Sequence, residues 1–468
     1  MISTEDPDVL TALRTMQAKA LSMRNEPITA RKKRLRTLKR WILDNQSELE
    51  RAAAADLGKP AIEFISIEIF NVLEEIRTIL KNLNHWASPV YVPPSFAVLG
   101  TYSEIRYEPK GLCLVIAPWN FPFLLAVGPM ASALGAGNAV VVKPSELAPT
   151  MSACIAKMAS ACFSPDEVRV VEGGLEVSKQ LLTFPFDHIF FTGSPAVGSI
   201  VMSEAARNLT PVTLELGGKS PCVVTSSARV DEAALRIAVS KFTNAGQTCI
   251  APDYVLAEDK VYDRLVDRIV FHARKLFSNP STYTRIVSDR HFTRLVDLLQ
   301  ACRQEGVVAV LDGPAEARDR LFSPVVLKNV SVDSAIMRDE IFGPILPVIR
   351  FHDLAEAESI VNHQPRALAL YIFSDARRET ESLMASTSSG AVCINDCAMH
   401  FFHSGLPFGG VGRSGFGRAH GHAGFVTFSN EKSVIRQRHG LTGASLLYPP
   451  HTARKQRLLT KFMALFYR

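Results

Sequence analysis

Three residues combine reactive chemistry with a setting that can use it: Cys249, Glu215 and Asn120. Cys249 closes the run Phe242-Thr-Asn-Ala-Gly-Gln-Thr-Cys249, where Gly246, Gln247 and Thr248 suit a tight, accessible turn. A thiolate on such a turn attacks a carbonyl carbon once its pKa is lowered. A cysteine in an apolar interior is instead inert packing, and the cysteines at 113, 154, 162, 222, 302, 393 and 397 carry only that reading. Glu215 stands in Leu-Glu-Leu-Gly-Gly-Lys (214–219), flanked by apolar residues. Burial raises a carboxyl pKa and fits it for general-base work. The alternative is a strand-end carboxylate paired with Lys219. Asn120 lies between Trp119 and Phe121 in a stretch without charge, so its amide must find a partner. Either it donates to a developing oxyanion or it bonds backbone in a turn.

A second group of residues has the pattern of an anion and sugar site. Phe190-Phe-Thr-Gly-Ser-Pro-Ala-Val-Gly198 reads as a strand, a tight turn and a helix start. Gly193 permits close backbone approach, Ser194 suits an N-cap, and Pro195 suits the first helical position. A helix N-terminus reached from a parallel strand is a ready pyrophosphate site. The spacing from Gly193 to Gly198 is Gly-x-x-x-x-Gly, not the Gly-x-Gly-x-x-Gly of ordinary dinucleotide folds, so a plain structural joint is the alternative. Lys143 and Glu146 follow an apolar strand directly. In an open parallel sheet ligands gather at the carboxyl ends of strands. There the two residues either hold ribose hydroxyls or simply close the strand as a charged loop.

The elements that must position these groups follow from composition and rhythm. The chain has 468 residues, which is long for one core and predicts two or three domains. With 47% hydrophobic and 21% charged residues it has neither a disordered nor a coiled-coil composition. A net charge of +6 spread over that length is no nucleic-acid stripe, and no nucleic-acid partner is expected. No cysteines form a Cys-x-x-Cys pair, and Cys393 and Cys397 precede His400 and His403 too tightly for a structural zinc pattern, so no metal is expected. The N-terminus lacks the build of a signal peptide, which makes the cytoplasm the expected location. Residues 111–142 carry no charge, but Pro118, Pro122 and Pro129 interrupt them. They read as strand 112–117, a loop at Asn120, helix 124–136 and strand 139–142 rather than a membrane span. Up to about residue 86 the pattern is helical, and 88–95 is proline-rich. Short apolar strands then alternate with helices in two α/β layers, before and after 213–219, which argues for parallel sheets covered on both faces.

Seven motifs in order, APWNFP (117–122), VVKPSE (141–146), FTGSPAVG (191–198), LELGGK (214–219), NAGQTC (244–249), EIFGP (340–344) and PFGGVGRSGFGR (407–418), resemble the aldehyde dehydrogenase superfamily. NAGQTCIAPDY and GFGRAHG with its FSNEKSV continuation are most similar to the class 3 branch, which includes fatty, aromatic and coniferyl-type aldehyde dehydrogenases. The resemblance implies an α/β aldehyde dehydrogenase fold: a Rossmann-like cofactor domain (1–86 and 109–218), an α/β catalytic domain (219–424) and a small β oligomerisation element (87–108 and 425–447). It implies NAD or NADP as cofactor, an aldehyde substrate and a homodimer. Cys249 would be the nucleophile, Glu215 the base that activates water, and Asn120 with the Cys249 N–H the oxyanion hole. Lys143 and Glu146 would contact the adenosine ribose, and Gly193, Ser194 and Gly198 would shape the pyrophosphate turn. Glu340 would bind the nicotinamide ribose, with Phe342 packed near the ring.

Residues 452–468 mix five basic residues with Leu458, Phe462, Leu465 and Phe466, which helical spacing brings near one face. This basic amphipathic tail (448–468) either lies on a membrane surface, caps a substrate funnel or packs on protein. It favours a medium- or long-chain aliphatic aldehyde over an aromatic one. The rival reading is an inactive protein, or a membrane-peripheral binding protein working through its tail.

Overall fold

Short apolar runs of alternating facing build two parallel sheets, joined where the chain crosses at 217–220. The computed structural model describes residues 7–95, 98–440, 442–443, 445 and 448–466. In the first sheet the strand order is Gly415–Phe416, Val212–Leu216, His188–Gly193, Leu112–Ile116, Ala139–Lys143, Val168–Val170. All neighbours are parallel except Gly415–Phe416, which runs antiparallel to Val212–Leu216. Period-two alternation sends Cys113, Val115, Val140 and Val142 to one core and Leu112, Leu114, Ile116, Ala139 and Val141 to the other. Both faces are therefore closed by helices, and the uncharged stretch is core rather than a span.

The second sheet runs in the order Val308–Asp312, Val325–Lys328, Ile345–Phe351, Tyr254–Glu258, Pro221–Val224, Ala369–Phe373, Ala391–Ile394. Only Val308–Asp312 is antiparallel to its neighbour. Because Val212–Leu216 ends the first sheet and Pro221–Val224 begins the second, the link places the carboxyl edge of one against the starting edge of the other. A third, antiparallel sheet pairs Val90–Val92 with Thr101–Pro109 and Thr101–Pro109 with Ser429–Gln437, the last pair matched over nine residues from Ser429↔Pro109 to Gln437↔Thr101. Helix Gly421–Thr427 packs back on helices Pro122–Ala136 and Phe70–Trp86, and Phe425 and Phe428 join the first core.

Local expectations hold with small shifts. The helix expected at 124–136 starts at Pro122, since proline at the first helical position gives up no needed N–H. Pro129, an expected interruption, sits inside this helix. Ser194 caps helix Pro195–Ala206, its hydroxyl accepting from the Val197 N–H at 3.4 Å. The tail forms helix Ala453–Phe466, none of whose residues is buried; Tyr467 and Arg468 lie outside the described residues. Among the described residues no helix is long and apolar enough to cross a membrane.

Candidate active site

The Cys249 turn follows helix Val230–Phe242 and is held in a rare backbone shape. Asn244, Ala245 and Gly246 all have positive φ (54°, 51° and 70°). Left-handed residues without glycine cost on the order of 1–2 kcal/mol each, so the surroundings must enforce them. At Gly246 a Cβ would fall 2.2 Å from the Gly343 carbonyl oxygen, so only glycine fits there. Gln247 locks the turn: its Nε2 donates to the Asn244 and Arg285 carbonyls, both at 3.0 Å, and its Oε1 accepts from the Val287 N–H at 3.0 Å. Tyr371 Oη donates to the Ile250 carbonyl on the far side at 2.5 Å.

Cys249 and Glu215 line one cavity of about 560 Å³, whose walls are mainly apolar and include Phe121, Leu124, Phe401 and Phe408. Glu215 is buried between Thr192 and Gly415 in the sheet, and neither of its carboxyl oxygens has a hydrogen-bond partner among the described residues. Burial holds its pKa well above the usual carboxyl range, with Arg418 the cation that opposes the shift. The paired alternative falls, because Lys219 is engaged elsewhere. Its Nζ bonds Asp253 Oδ2 at 2.5 Å and the carbonyls of Ile336 and Asp339 at 2.8 and 3.0 Å. Burial, then the carboxylates of Glu340 and Glu215, push the Cys249 thiol up to about 12. The N–H groups of Cys249 itself and of Ile250 pull the other way by favouring the thiolate.

Asn120 reaches the same turn from behind. Its Nδ2 donates to the Gln247 carbonyl at 3.0 Å, and this is its one acceptor among the described residues. Its own carbonyl accepts from Lys59 Nζ at 2.9 Å and Asn244 Nδ2 at 3.1 Å. Both expected behaviours are thus compatible: one amide N–H bonds backbone and the second is left over. The side chain is not among those lining the Cys249 cavity.

The remaining expected residues gather at the carboxyl edge of the first sheet and at the link. Lys143 and Gly193 end their strands. Lys143 Nζ bonds Glu146 Oε2 at 2.8 Å, the lysine buried and the glutamate half exposed. A Cβ at Gly198 would fall 2.7 Å from Leu216 Cδ2, so this glycine lets helix Pro195–Ala206 pack onto the strand that carries Glu215. Glu340 lies against the link: a Cβ at Gly217 would fall 2.0 Å from its Oε2, and the Gly218 N–H donates to its carboxylate. Burial, then Asp253, raise Glu340 to about 8. Phe342 has φ +46° and meets the Trp119 ring edge-on at 5.4 Å.

Several residues at or behind the site had no role in the sequence reading beyond the zinc pattern set aside at His400. Lys59 and Glu68 form a fully buried ion pair beside Asn120. Lys241, completely buried before the turn, has no partner for its Nζ among the described residues, and burial pushes it down to about 8. His400 and His420 stack on either side of Phe408, and burial holds both near 4. The signal available for each was a lone charged or imidazole side chain inside an apolar run.

Comparison with known proteins agrees with this geometry. Residues 2–434 match the family model described as the aldehyde dehydrogenase family. The chain is 40% identical to the 4,4'-diaponeurosporen-aldehyde dehydrogenase of Staphylococcus aureus over 88% of this chain and 90% of the relative. It is 39% identical to aldehyde dehydrogenase family 3 member A2 of Macaca fascicularis, over 93% of this chain and 90% of that one. A solved structure, the substrate-bound state of Staphylococcus aureus AldH, superposes with a TM-score of 0.92 at 37% identity, covering 97% of this chain and 99% of that one. With its seven motifs in order and Cys249 beside Glu215 on one cavity, the chain belongs to the aldehyde dehydrogenase family, NAD(P)-dependent oxidoreductases that act on aldehydes.

Proposed function

We propose that the cavity shared by Cys249 and Glu215 oxidises an aldehyde to its acid through a covalent adduct on Cys249. The observation that carries this reading is the Glu215 carboxyl. Of the carboxylates lining the cavity, it alone lacks a partner among the described residues. A buried group left unpaired in this way is costly to the fold and available to a reactant.

Cys249 sulfur adds to the aldehyde carbon, and the carbonyl oxygen takes the negative charge. The Cys249 N–H and the second Asn120 N–H stabilise that oxygen, each such donor being worth roughly 3–4 kcal/mol in comparable acyl chemistry. A bound NAD or NADP would supply the hydride acceptor, and loss of the hydride from the adduct carbon leaves a thioester on Cys249. Glu215 then takes a proton from the water that attacks the thioester, the C–S bond breaks, and acid and thiol are released. The apolar walls hold bulk water away from the adduct.

The residues at the sheet edge fit such a cofactor. The helix N-terminus after Gly193 and Ser194 presents the positive end of its dipole to a pyrophosphate. Gly198 holds that helix in place, and Lys143 and Glu146 would contact the adenosine ribose. Glu340, buried at the link with a raised pKa, would hold the nicotinamide ribose, with Phe342 beside the ring. The division into a cofactor unit (1–86, 109–218), a catalytic unit (219–424) and an oligomerisation element (87–108, 425–447) belongs to the same reading, supported by the separation of the six-, seven- and three-stranded sheets. So does a homodimer. Among the described residues the outer strand Ser429–Gln437 has no strand neighbour on one side, a template for a second copy.

The substrate class we infer is a medium- or long-chain aliphatic aldehyde, with aromatic aldehydes second. Support comes from the apolar cavity and from the Staphylococcus aureus relative named for 4,4'-diaponeurosporen-aldehyde. The tail helix, with exposed Leu458, Leu459, Met463, Leu465 and Phe466 and four basic residues, supports peripheral contact with a membrane from the cytoplasmic side. NAD(P)H formation should be measured with hexanal, decanal, hexadecanal and benzaldehyde, each cofactor in turn. Activity on the longer aldehydes, absent in Cys249→Ala, is expected. Turnover surviving in Cys249→Ala overturns the mechanism, and kcat/KM falling steadily with chain length overturns the substrate class.

A further inference from the structure

We propose that Lys59 and Glu68 are positioning residues for the reaction at Cys249: their buried ion pair sets the aim of the Asn120 amide. This rests on the reading of Asn120 as an oxyanion donor.

The pair lies in the helical N-terminal region, on a segment whose turn Ile65–Ile69 is a π-helix that contains Glu68. Both side chains are essentially inaccessible, 1% and 0% exposed, with Nζ and Oε1 2.6 Å apart. As a stabilising device such a pair is inefficient, because removing two ions from water costs about what their attraction returns. What it provides is direction. Lys59 spends one donor on Glu68, points a second at the Asn120 carbonyl at 2.9 Å, and places its charge over the Phe121 ring, 4.5 Å from the centroid. Glu68 spends Oε2 on the N–H groups of Phe123 and Leu124 at 3.0 and 3.2 Å. Those are among the N–H groups left over at the start of helix Pro122–Ala136, whose N-cap residue Phe121 supplies no side-chain cap.

The backbone is therefore gripped directly after the Asn120 side chain: at its own carbonyl and at the N–H groups three and four residues on. Asn244 bridges the remaining gap, its Nδ2 donating to the Asn120 carbonyl at 3.1 Å and the Gln247 carbonyl at 3.0 Å. With the main chain fixed, the Asn120 amide keeps one N–H on Gln247 and aims the other. Shifting that main chain moves the donor, and a displacement of about 1 Å in a reacting group can cost roughly 10²-fold in rate.

The test uses the full-length protein and p-nitrophenyl acetate, which needs no nucleotide. Cys249 sulfur adds to the ester carbonyl, an oxyanion forms, the C–O bond breaks, and nitrophenolate leaves with the electron pair while the thiol proton passes to buffer. Iodoacetamide alkylation of Cys249 is the control, since substitution at a saturated carbon forms no oxyanion. Asn120→Ala is expected to slow acylation roughly 10²-fold. Lys59→Met, and the neutral pair Lys59→Met/Glu68→Gln, are expected to slow it roughly tenfold or more. Alkylation should stay within about threefold throughout. Adding Lys59→Met to Asn120→Ala should cost little further, the non-additivity of residues acting through one group. If Lys59→Met fails to fold, the neutral pair carries the test, because it leaves no lone buried charge. The proposal is overturned if the neutral pair folds and acylates at the wild-type rate while Asn120→Ala is slow. Equal slowing of acylation and alkylation also overturns it, by showing general damage to the turn. A normal acylation rate in Asn120→Ala removes the oxyanion reading itself and this proposal with it.

Discussion

The two sides of the Cys249 turn treat polar atoms in opposite ways. On the cavity side, Glu215 presents two buried oxygens with no partner, inside mainly apolar walls. Behind the turn, Lys59, Glu68, Asn120, Asn244 and Gln247 exchange hydrogen bonds with one another and with the carbonyls around them. A buried polar group left unpaired costs the fold about 1–3 kcal/mol, while a saturated network rigidifies it. The side that costs stability faces the cavity, and the more fully bonded side behind it holds the turn, with one Asn120 N–H and Asn244 Oδ1 left without partners among the described residues.

Glu215→Gln breaks the cavity side and should have the largest effect of the three changes considered next. Steady-state turnover should fall roughly 10²–10⁴-fold, the range for a lost general base, while the first turnover of NAD(P)H survives. The same change bears on stability. Because the fold raises this carboxyl pKa, the folded chain binds the proton more tightly than the unfolded chain. Stability is thus lost as pH rises from the ordinary carboxyl range through the raised value. Glutamine carries no such proton, so the variant should gain in melting temperature relative to wild type at alkaline pH and gain little at acid pH. A variant less stable than wild type at alkaline pH would contradict the assignment of Glu215 as an unpaired buried acid.

Gly246→Ala breaks the bonded side behind the turn. Its Cβ meets the Gly343 carbonyl at 2.2 Å and its φ is +70°, so urea unfolding should show a loss of about 2–4 kcal/mol. A loss below about 0.5 kcal/mol would mean that the turn yields easily and is not held by its network. The smallest effect belongs to the tail, where nothing is buried. Removing 453–466 should leave the unfolding free energy within about 0.5 kcal/mol, the usual range for exposed substitutions. If peripheral contact is its role, the same truncation should abolish co-sedimentation with anionic vesicles.

The contrast also explains what the sequence disclosed. The placements of Cys249, Glu215 and the Gly193-Ser194-Pro195 turn were legible because they are local: a cysteine on a glycine turn, a carboxylate among leucines, a cap beside its own helix. The crossing near 217 showed as a change of rhythm between two runs of strands. The Glu215–Lys219 ambiguity needed the fold, since the true partner of Lys219 is Asp253, 34 positions along. Lys59 and Glu68 were opaque for the same reason, as they act 61 and 55 positions away, on Asn120 and Phe123. Which face of Asn120 would meet the turn was equally beyond reach of a single sequence.

One pairing sets the order in which this protein can become itself on the ribosome. Glu215 is matched across the sheet with Gly415, so its strand waits for a neighbour 415 − 215 = 200 residues downstream. At roughly 5–20 residues per second, that is about 10–40 s of synthesis with the Glu215 carboxylate on an open edge. Nascent chains stalled before residue 415 should therefore carry Glu215 in an unfinished sheet, completed only when Gly415–Phe416 pairs back onto Val212–Leu216.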